Sequence, residues 1–257
     1  MNEDLLFCQI SDTHFMHKGE RIYDQIETYS QFDKVIEYCK NLNPNPDFYI
    51  MSGDLIQDNS KYYHEYIELC NKLKKPYYLM MGNHDIRNSL KHYISNKKLI
   101  NENGFVNFII DYDSLKIICL DTVIENSIEG NITLDTFNWL ESELEKDIKK
   151  PTIIFMHHPP ISIGSILFDD IKCKNGNDFL SLIKKYPSVL KIVFGHVHCI
   201  YSIELEGLSL ISCPSSSFQF PIKAKTTNNL ILDNKAYIQL FKWKDNKFLT
   251  NRILEIK

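Results

Sequence analysis

Over most of the chain, short apolar runs alternate with stretches whose apolar residues recur every three or four positions. Runs at 5–10, 48–52, 77–81, 152–156 and 189–194 have the length and the aliphatic and aromatic content of buried strands. Between them, Phe32, Val35, Ile36 and Cys39 fall on one helical face, as do Tyr63, Tyr66, Ile67 and Cys70. A further helical pattern over 134–149 carries Phe137, Leu140, Leu144 and Ile148, with Thr133 placed to cap its start. Such alternation predicts an α/β fold whose sheet is buried on at least one face. Two regions depart from it: 108–120 reads as two strands about a turn at Asp113-Ser114, and 200–256 reads as successive strands without a helix. A second sheet is therefore expected. The stretch 161–175, after Pro159-Pro160, has no clear period and is expected to loop over the site. No repeat, low-complexity run or Pro/Gly linker divides the chain, so one domain over 1–257 is expected.

Composition narrows the classes. At 44% hydrophobic residues the chain can bury a sizeable core, and its net charge of -4 comes from 29 basic and 33 acidic residues. No long block of either sign follows a nucleic-acid backbone, which argues against nucleic acid as a partner. The acidic opening Met1-Asn2-Glu3-Asp4 lacks the basic head and apolar stretch of a secretory signal, and no apolar run is long enough to span a bilayer. No stable membrane anchor is expected. Seven widely spaced cysteines without a CxxC pair suit reduced thiols, and hence a cytoplasmic location.

The chemistry lies in five polar runs, each where a strand is expected to end: Asp12-Thr13-His14, Gly53-Asp54, Gly82-Asn83-His84-Asp85, His157 and Gly195-His196-Val197-His198. In α/β proteins ligands collect beyond the carboxyl ends of strands, where loops from distant parts of the chain converge. Taken singly, His14 would suit a hydrogen-bonded structural role and Asp54 the cap of a helix starting near Ser60. Five runs agreeing in residue type and placement favour metal binding instead. Gly53 and Gly82 remove a side chain beside a ligand and allow the turns that aim Asp54 and Asn83 inward. Mixed carboxylate, amide and imidazole donors suit Mn or Fe, or Zn, better than the all-oxygen preference of Mg or Ca. Two such ions, about 3.5 to 4 Å apart, can turn a shared water into hydroxide and neutralise the attacking and leaving oxygens of an in-line displacement at phosphorus. The expected reaction is phosphate ester hydrolysis.

Other polar residues get smaller roles. His158 should back the ligands rather than bind an ion, since neighbouring side chains at a strand end point to opposite faces. Asp85 suits either the orienting of the His84 ring or a helix N-cap, Arg87 could meet a phosphate oxygen, and His17, His64 and His92 read as surface or structural residues.

In order and content the five runs resemble the signature of the calcineurin-like metallophosphoesterases: D-x-H, G-D, G-N-H-[DE], H and G-H-x-H. The resemblance covers nearly the full chain. It implies a four-layer αββα sandwich, two mixed β-sheets face to face with helices outside, and a dinuclear centre at one end. It implies one ion on Asp12, His14 and His198, another on Asn83, His157 and His196, and Asp54 bridging them. His84 would sit beside the phosphate, so that Asn83 and His84 bind substrate and His84, with Asp85, carries the proton chemistry. The runs Gly53-Asp54-Leu55-Ile56-Gln57-Asp58, His157-His158-Pro159-Pro160, Gly164-Ser165 followed by Asp169 and Asn175, and 214–220 resemble the bacterial class III cyclic nucleotide phosphodiesterases. That branch implies opening of 3',5'-cyclic AMP to 5'-AMP. Related members act on glycerophosphodiesters, 2',3'-cyclic nucleotides or other small phosphate esters, and a scaffold of the same fold is a non-enzymatic alternative. Phe15 and Ser216-Ser217-Phe218 depart from the branch and leave its base pocket open. Relatives also suggest a homodimer, to which 161–168 would contribute.

Overall fold

Strand β1 (Leu5–Ile10) runs between two neighbours that the sequence places far apart. It pairs in parallel with β2 (Phe48–Met51), which pairs in parallel with β3 (Tyr77–Leu79), and antiparallel with β10 (Ala236–Lys244), which carries β11 (Phe248–Ile256) at the edge. A computed structural model describes residues 4–101, 103–221, 231–244 and 247–257. Within these the second sheet has the order β4-β5-β6-β7-β9-β8, from β4 (Phe108–Tyr112), β5 (Leu115–Leu120), β6 (Thr152–Met156), β7 (Val189–Phe194), β8 (Ser202–Leu205) and β9 (Leu208–Ser212). Its β5, β6, β7 and β9 are parallel and the outer pairs antiparallel, so both sheets are mixed.

The side-chain period of two explains the layers. On β5 and β6, Ile117, Cys119, Ile153 and Phe155 face the first sheet, while Ile118, Leu120, Ile154 and Met156 face helices on the other side. A sheet covered on both faces needs near-continuous apolar strands, which is how these segments read. Phe7 stacks between Phe48 and Phe241, with Phe155 edge-on from the opposite sheet, and this aromatic group fills the space between the sheets. Helices α1 (Thr28–Lys40) and α2 (Tyr62–Asn71) cover the outer face of the first sheet, where the Tyr49 hydroxyl donates to the Cys39 carbonyl. α4 (Leu134–Glu145) and α5 (Gly176–Ile183) cover the second. Two mixed sheets flanked by helices is the architecture the resemblance implies.

Several elements differ from the sequence reading. α4 starts as expected, with the Thr133 hydroxyl accepting from the Thr136 amide, but ends at Glu145, leaving Ile148 58% exposed. Pro151, just before β6, keeps Lys150 out of the helical region, so the helix cannot run on into the strand. β3 stops at Leu79, short of Met81. Two short helices carry too few turns to show a period: α3 (Arg87–Tyr93), directly after the Gly82-Asn83-His84-Asp85 run, and α5, whose Gly176 is pressed on the Pro160 carbonyl. The 108–120 hairpin and the four strands of the tail are present. Parts of that tail, 222–230 and 245–246, and the opening residues 1–3 lie outside the described residues. Within 161–168, Leu167 and Phe168 turn into the molecule to wall a cavity, and Ile166 is left 66% exposed. No helix among the described residues is long and apolar enough to cross a membrane.

Candidate metal centre

The carboxyl ends of β1, β2, β3, β6 and β7 open at one end of the two sheets, and there the five polar runs meet. Asp12, His14 and His198 offer ligand atoms within 4.8 Å of one another, and so do Asp54, His157 and His196. The Asp54 Oδ2 atom lies 3.6 Å from His14 Nε2 and 3.2 Å from His157 Nε2, so one carboxylate reaches both groups. Asp12 Oδ1 lies 3.5 Å from His198 Nε2 and 3.9 Å from His157 Nε2. A third grouping, of His14, Asp54 and His84, overlaps the first two.

The backbone is bent hard to achieve this. Asp12, His14, Asp54, His196 and His198 all adopt positive φ, between 42° and 68°, a conformation uncommon for residues other than glycine and concentrated at functional sites. Gly53, at φ 96°, could carry no side chain, because a Cβ would lie 2.5 Å from His157 Nδ1. Gly82 has ordinary φ, and its reason is space: a Cβ there would collide with the Asp54 amide and carboxylate.

Hydrogen bonds orient three of the four imidazoles. His157 Nδ1 donates to the Ser52 carbonyl at 3.0 Å and His198 Nδ1 to the Phe218 carbonyl at 2.9 Å, while His14 Nδ1 meets Gln57 Oε1 at 2.7 Å. With Nδ1 engaged in this way, each ring turns Nε2 inward, as metal-ligating histidines do. His196 Nε2 and the Asn83 amide oxygen are buried and make no hydrogen bond. Orphaned buried acceptors are costly, and a cation is the partner that satisfies several at once. The donor set therefore fits two ions, with Asp54 between them.

The electrostatics agree. Burial alone would raise the Asp54 carboxyl, but His157 and His84 outweigh it and hold it well below the usual carboxylate range. Asp12 is lowered in the same way, by His198 and His157 against burial. Burial pushes His14 down to about 3 and His196 well below the usual imidazole value, keeping both in the neutral form that can ligate. His157 goes the other way, to about 9: burial lowers it, but Asp54 and Asp12 prevail.

His84 is held differently. Its Nδ1 lies 2.9 Å from Asp58 Oδ1 and 3.2 Å from Gln57 Nε2, and its amide donates to Asp54 Oδ1 at 2.8 Å. Burial is overcome by Asp54 and Asp58, which raise it to about 9. The expectations for Asp85 and Arg87 are corrected here. Asp85 does not touch the His84 ring: its carboxylate accepts from the Gly82 and Leu55 amides and the Tyr63 hydroxyl, clamping two ligand loops together. Nor does it cap α3, whose N-cap is Ile86 without a side-chain bond. Burial and the Asp54 charge raise Asp85 to about 7. Arg87 does not line the cavity over the centre; it is buried in a fork on Asp121, with Nη2 2.9 Å and Nε 3.2 Å from its oxygens, and reaches Glu125 at 3.2 Å. Asp54 caps no helix, since α2 begins after Lys61 with no side-chain cap.

His158 does not face away from His157, whose ring it meets edge-on at 5.1 Å; its Nδ1 pairs with the Thr122 hydroxyl at 2.8 Å and its ring leans on His196 at 4.7 Å, so that it backs the ligands. His17 pairs with Glu65 at 2.9 Å, and His64 lies exposed near Glu68. Sequence reasoning missed the supports. Ser215 and Ser217 both donate to the Asp12 carbonyl, at 2.7 and 2.8 Å, and Ser11 donates to the Asp12 carboxylate at 2.5 Å. Gln57 and Asp58 stand in a quoted run, but nothing in their spacing says that they meet His14 and His84. Above the centre a cavity is walled by Ile22, Tyr23, Phe168, Phe218 and Phe220, with Asn83 and His84 at its base.

The profile of the family described as calcineurin-like phosphoesterase matches residues 5–200. The chain is 28% identical over 220 residues to a glycerophosphodiester phosphodiesterase of Enterobacter lignolyticus, covering 84% of this chain and 79% of that one. It is 28% identical over 233 residues to a 3',5'-cyclic-nucleotide phosphodiesterase of a Nostoc species, covering 88% and 84%. Among solved structures, a dimetal phosphatase from Danio rerio superposes with a TM-score of 0.71 at 14% identity, covering 98% of each chain, and shares the fold.

Proposed function

We propose, from the premise that this chain belongs to the calcineurin-like phosphoesterase family and is a metal-dependent phosphoester hydrolase, that its substrate is a 3',5'-cyclic nucleotide, cyclic AMP first, opened to the 5'-monophosphate. The observation that carries this is the aromatic wall directly above the two ligand groups, with Tyr23 6.3 Å from Phe218 and Phe220 5.6 Å from Phe168. A flat base gains from such rings, whereas a glycerol head group has nothing to stack. The similarity to a Nostoc 3',5'-cyclic-nucleotide phosphodiesterase supports the same reading.

In this proposal Asp12, His14 and His198 would hold one ion and Asn83, His157 and His196 the other, with Asp54 within reach of both, and manganese or iron best matches the mixed donors, zinc next. The ions would supply a water made acidic enough to attack phosphorus and positive charge against the phosphate oxygens. Asn83 and His84 bind the substrate phosphate from the cavity base. His84, kept protonated at neutral pH by the adjoining carboxylates, donates to the leaving 3'-alkoxide. The seven free cysteines suit a reducing compartment such as the cytoplasm.

A second reading, a glycerophosphodiester as substrate, rests on the likeness to the Enterobacter enzyme. Purified protein would be stripped with chelator, reloaded with manganese and assayed on cyclic AMP, a glycerophosphodiester and bis(p-nitrophenyl) phosphate. Cyclic AMP should give the highest kcat/KM. A glycerophosphodiester turned over faster would displace the first reading, and activity indifferent to chelator would sink the metal assignment.

A further inference from the structure

We infer that Gln57 is a positioning residue that ties the metal ligand His14 to the Asp58–His84 pair, so that holding an ion and aligning the proton donor depend on one carboxamide. This rests on the proposed roles of His14 and His84. Gln57 Oε1 lies 2.7 Å from His14 Nδ1, and Gln57 Nε2 lies 2.6 Å from Asp58 Oδ2 and 3.2 Å from His84 Nδ1. An ionised carboxylate only accepts, so the amide must turn its NH2 toward Asp58. Its oxygen is then committed to His14, which must carry its proton on Nδ1. The ring is left with an unprotonated Nε2 beside His198 Nε2, 3.0 Å away, where an ion would sit. A flipped amide would set oxygen against carboxylate and cannot hold both ends.

The other arm acts on Asp58. Its side chain is 62% exposed, and such a carboxylate has rotamers that reach solvent. The Gln57 bond on Oδ2 holds it in the one that presents Oδ1 to His84 Nδ1 at 2.9 Å. Gln57 is itself anchored, its backbone N–H donating to the Phe15 carbonyl at 3.1 Å, so its end of the link moves with the turn that carries His14. His14 and His84 are neighbours, with ring centroids 4.8 Å apart, yet no hydrogen bond joins them directly; the carboxamide supplies the connection.

The test uses manganese titration by calorimetry and the ratio of turnover, at saturating metal, of an alkoxide-leaving diester to bis(p-nitrophenyl) phosphate. Nitrophenoxide leaves without a proton, so the ratio reports the alignment of the donor rather than overall integrity. Gln57→Leu should weaken manganese binding at one site by about 10–100-fold and lower the ratio by about tenfold or more. Gln57→Glu still accepts from His14 but repels Asp58, so its affinity should stay within a few-fold of wild type while the ratio falls. Asp58→Asn should do the same. Wild-type affinity and ratio in Gln57→Leu, or a fall in only one of them, would overturn the link. If Gln57→Leu does not fold, an unchanged ratio in Gln57→Glu overturns it instead. A wild-type protein that binds no manganese would point to failure of the ligand assignment itself.

Discussion

Three imidazoles, His14, His157 and His198, each engage an oxygen through Nδ1 and leave Nε2 as the atom that would meet a metal. His157, raised to about 9 in the metal-free protein, holds an extra proton at pH 7 that an incoming cation has to expel. Metal affinity is therefore expected to climb with pH from about 6 to 9, and calorimetry in buffers of different ionisation enthalpy should detect net proton release. Uptake without release at pH 7 would contradict the assignment of His157 as a ligand. His84 makes the opposite prediction. Its ring leans on Asp58 and is not part of the proposed coordination, so His84→Ala should retain both ions by elemental analysis while kcat on an alkoxide-leaving diester falls by about 10²–10⁴-fold. Full turnover in that variant would remove the proton-donor role.

At the scale of elements, α3 shows how a ligand loop is made rigid. The helix begins two residues after Asp85, and its first residue, Arg87, is locked on Asp121 just after β5, joining a loop of the first sheet to one of the second. Asp121 also accepts from the Val106 and Val123 amides, so the pair is fully engaged. Arg87→Met would strand that buried carboxylate and should cost about 3–5 kcal/mol by urea unfolding. A loss below 1 kcal/mol would mean that Asp121 finds another partner. This device was not legible in the sequence, where Arg87 reads as a phosphate contact, because only the packed fold shows that Asp121 consumes its donors. The strands were legible, because burial on both faces imposes continuous apolar runs. The ligands were legible because type and strand-end position coincide; Asp58, Ser215 and Ser217 were not, since a carboxylate or hydroxyl in a loop carries no mark of what it will meet. Asp85 misled because adjacency to His84 suggests contact, whereas consecutive side chains at a turn diverge.

For the molecule as a whole, the buried histidines set opposing pH limits on the metal-free form. His14 and His158, driven to about 3 by burial, contribute stability that is present above about 6.5 and lost as pH falls toward 3. His84 and His157, raised to about 9, contribute stability that is present below about 6.5 and lost as pH rises through 9. Each group acts with a limiting slope of about 1.4 kcal/mol per pH unit, so the metal-free protein should melt highest near pH 6 to 7. A melting temperature in chelator that rises steadily to pH 9 would be inconsistent with this. The two ligand groups also divide their donors between sheets: Asp12 and His14 follow β1 while His198 follows β7, and Asp54 and Asn83 follow β2 and β3 while His157 and His196 follow β6 and β7. Each ion would thus act as a rivet through both halves of the sandwich, and its removal should let that end gape before the aromatic interior gives way.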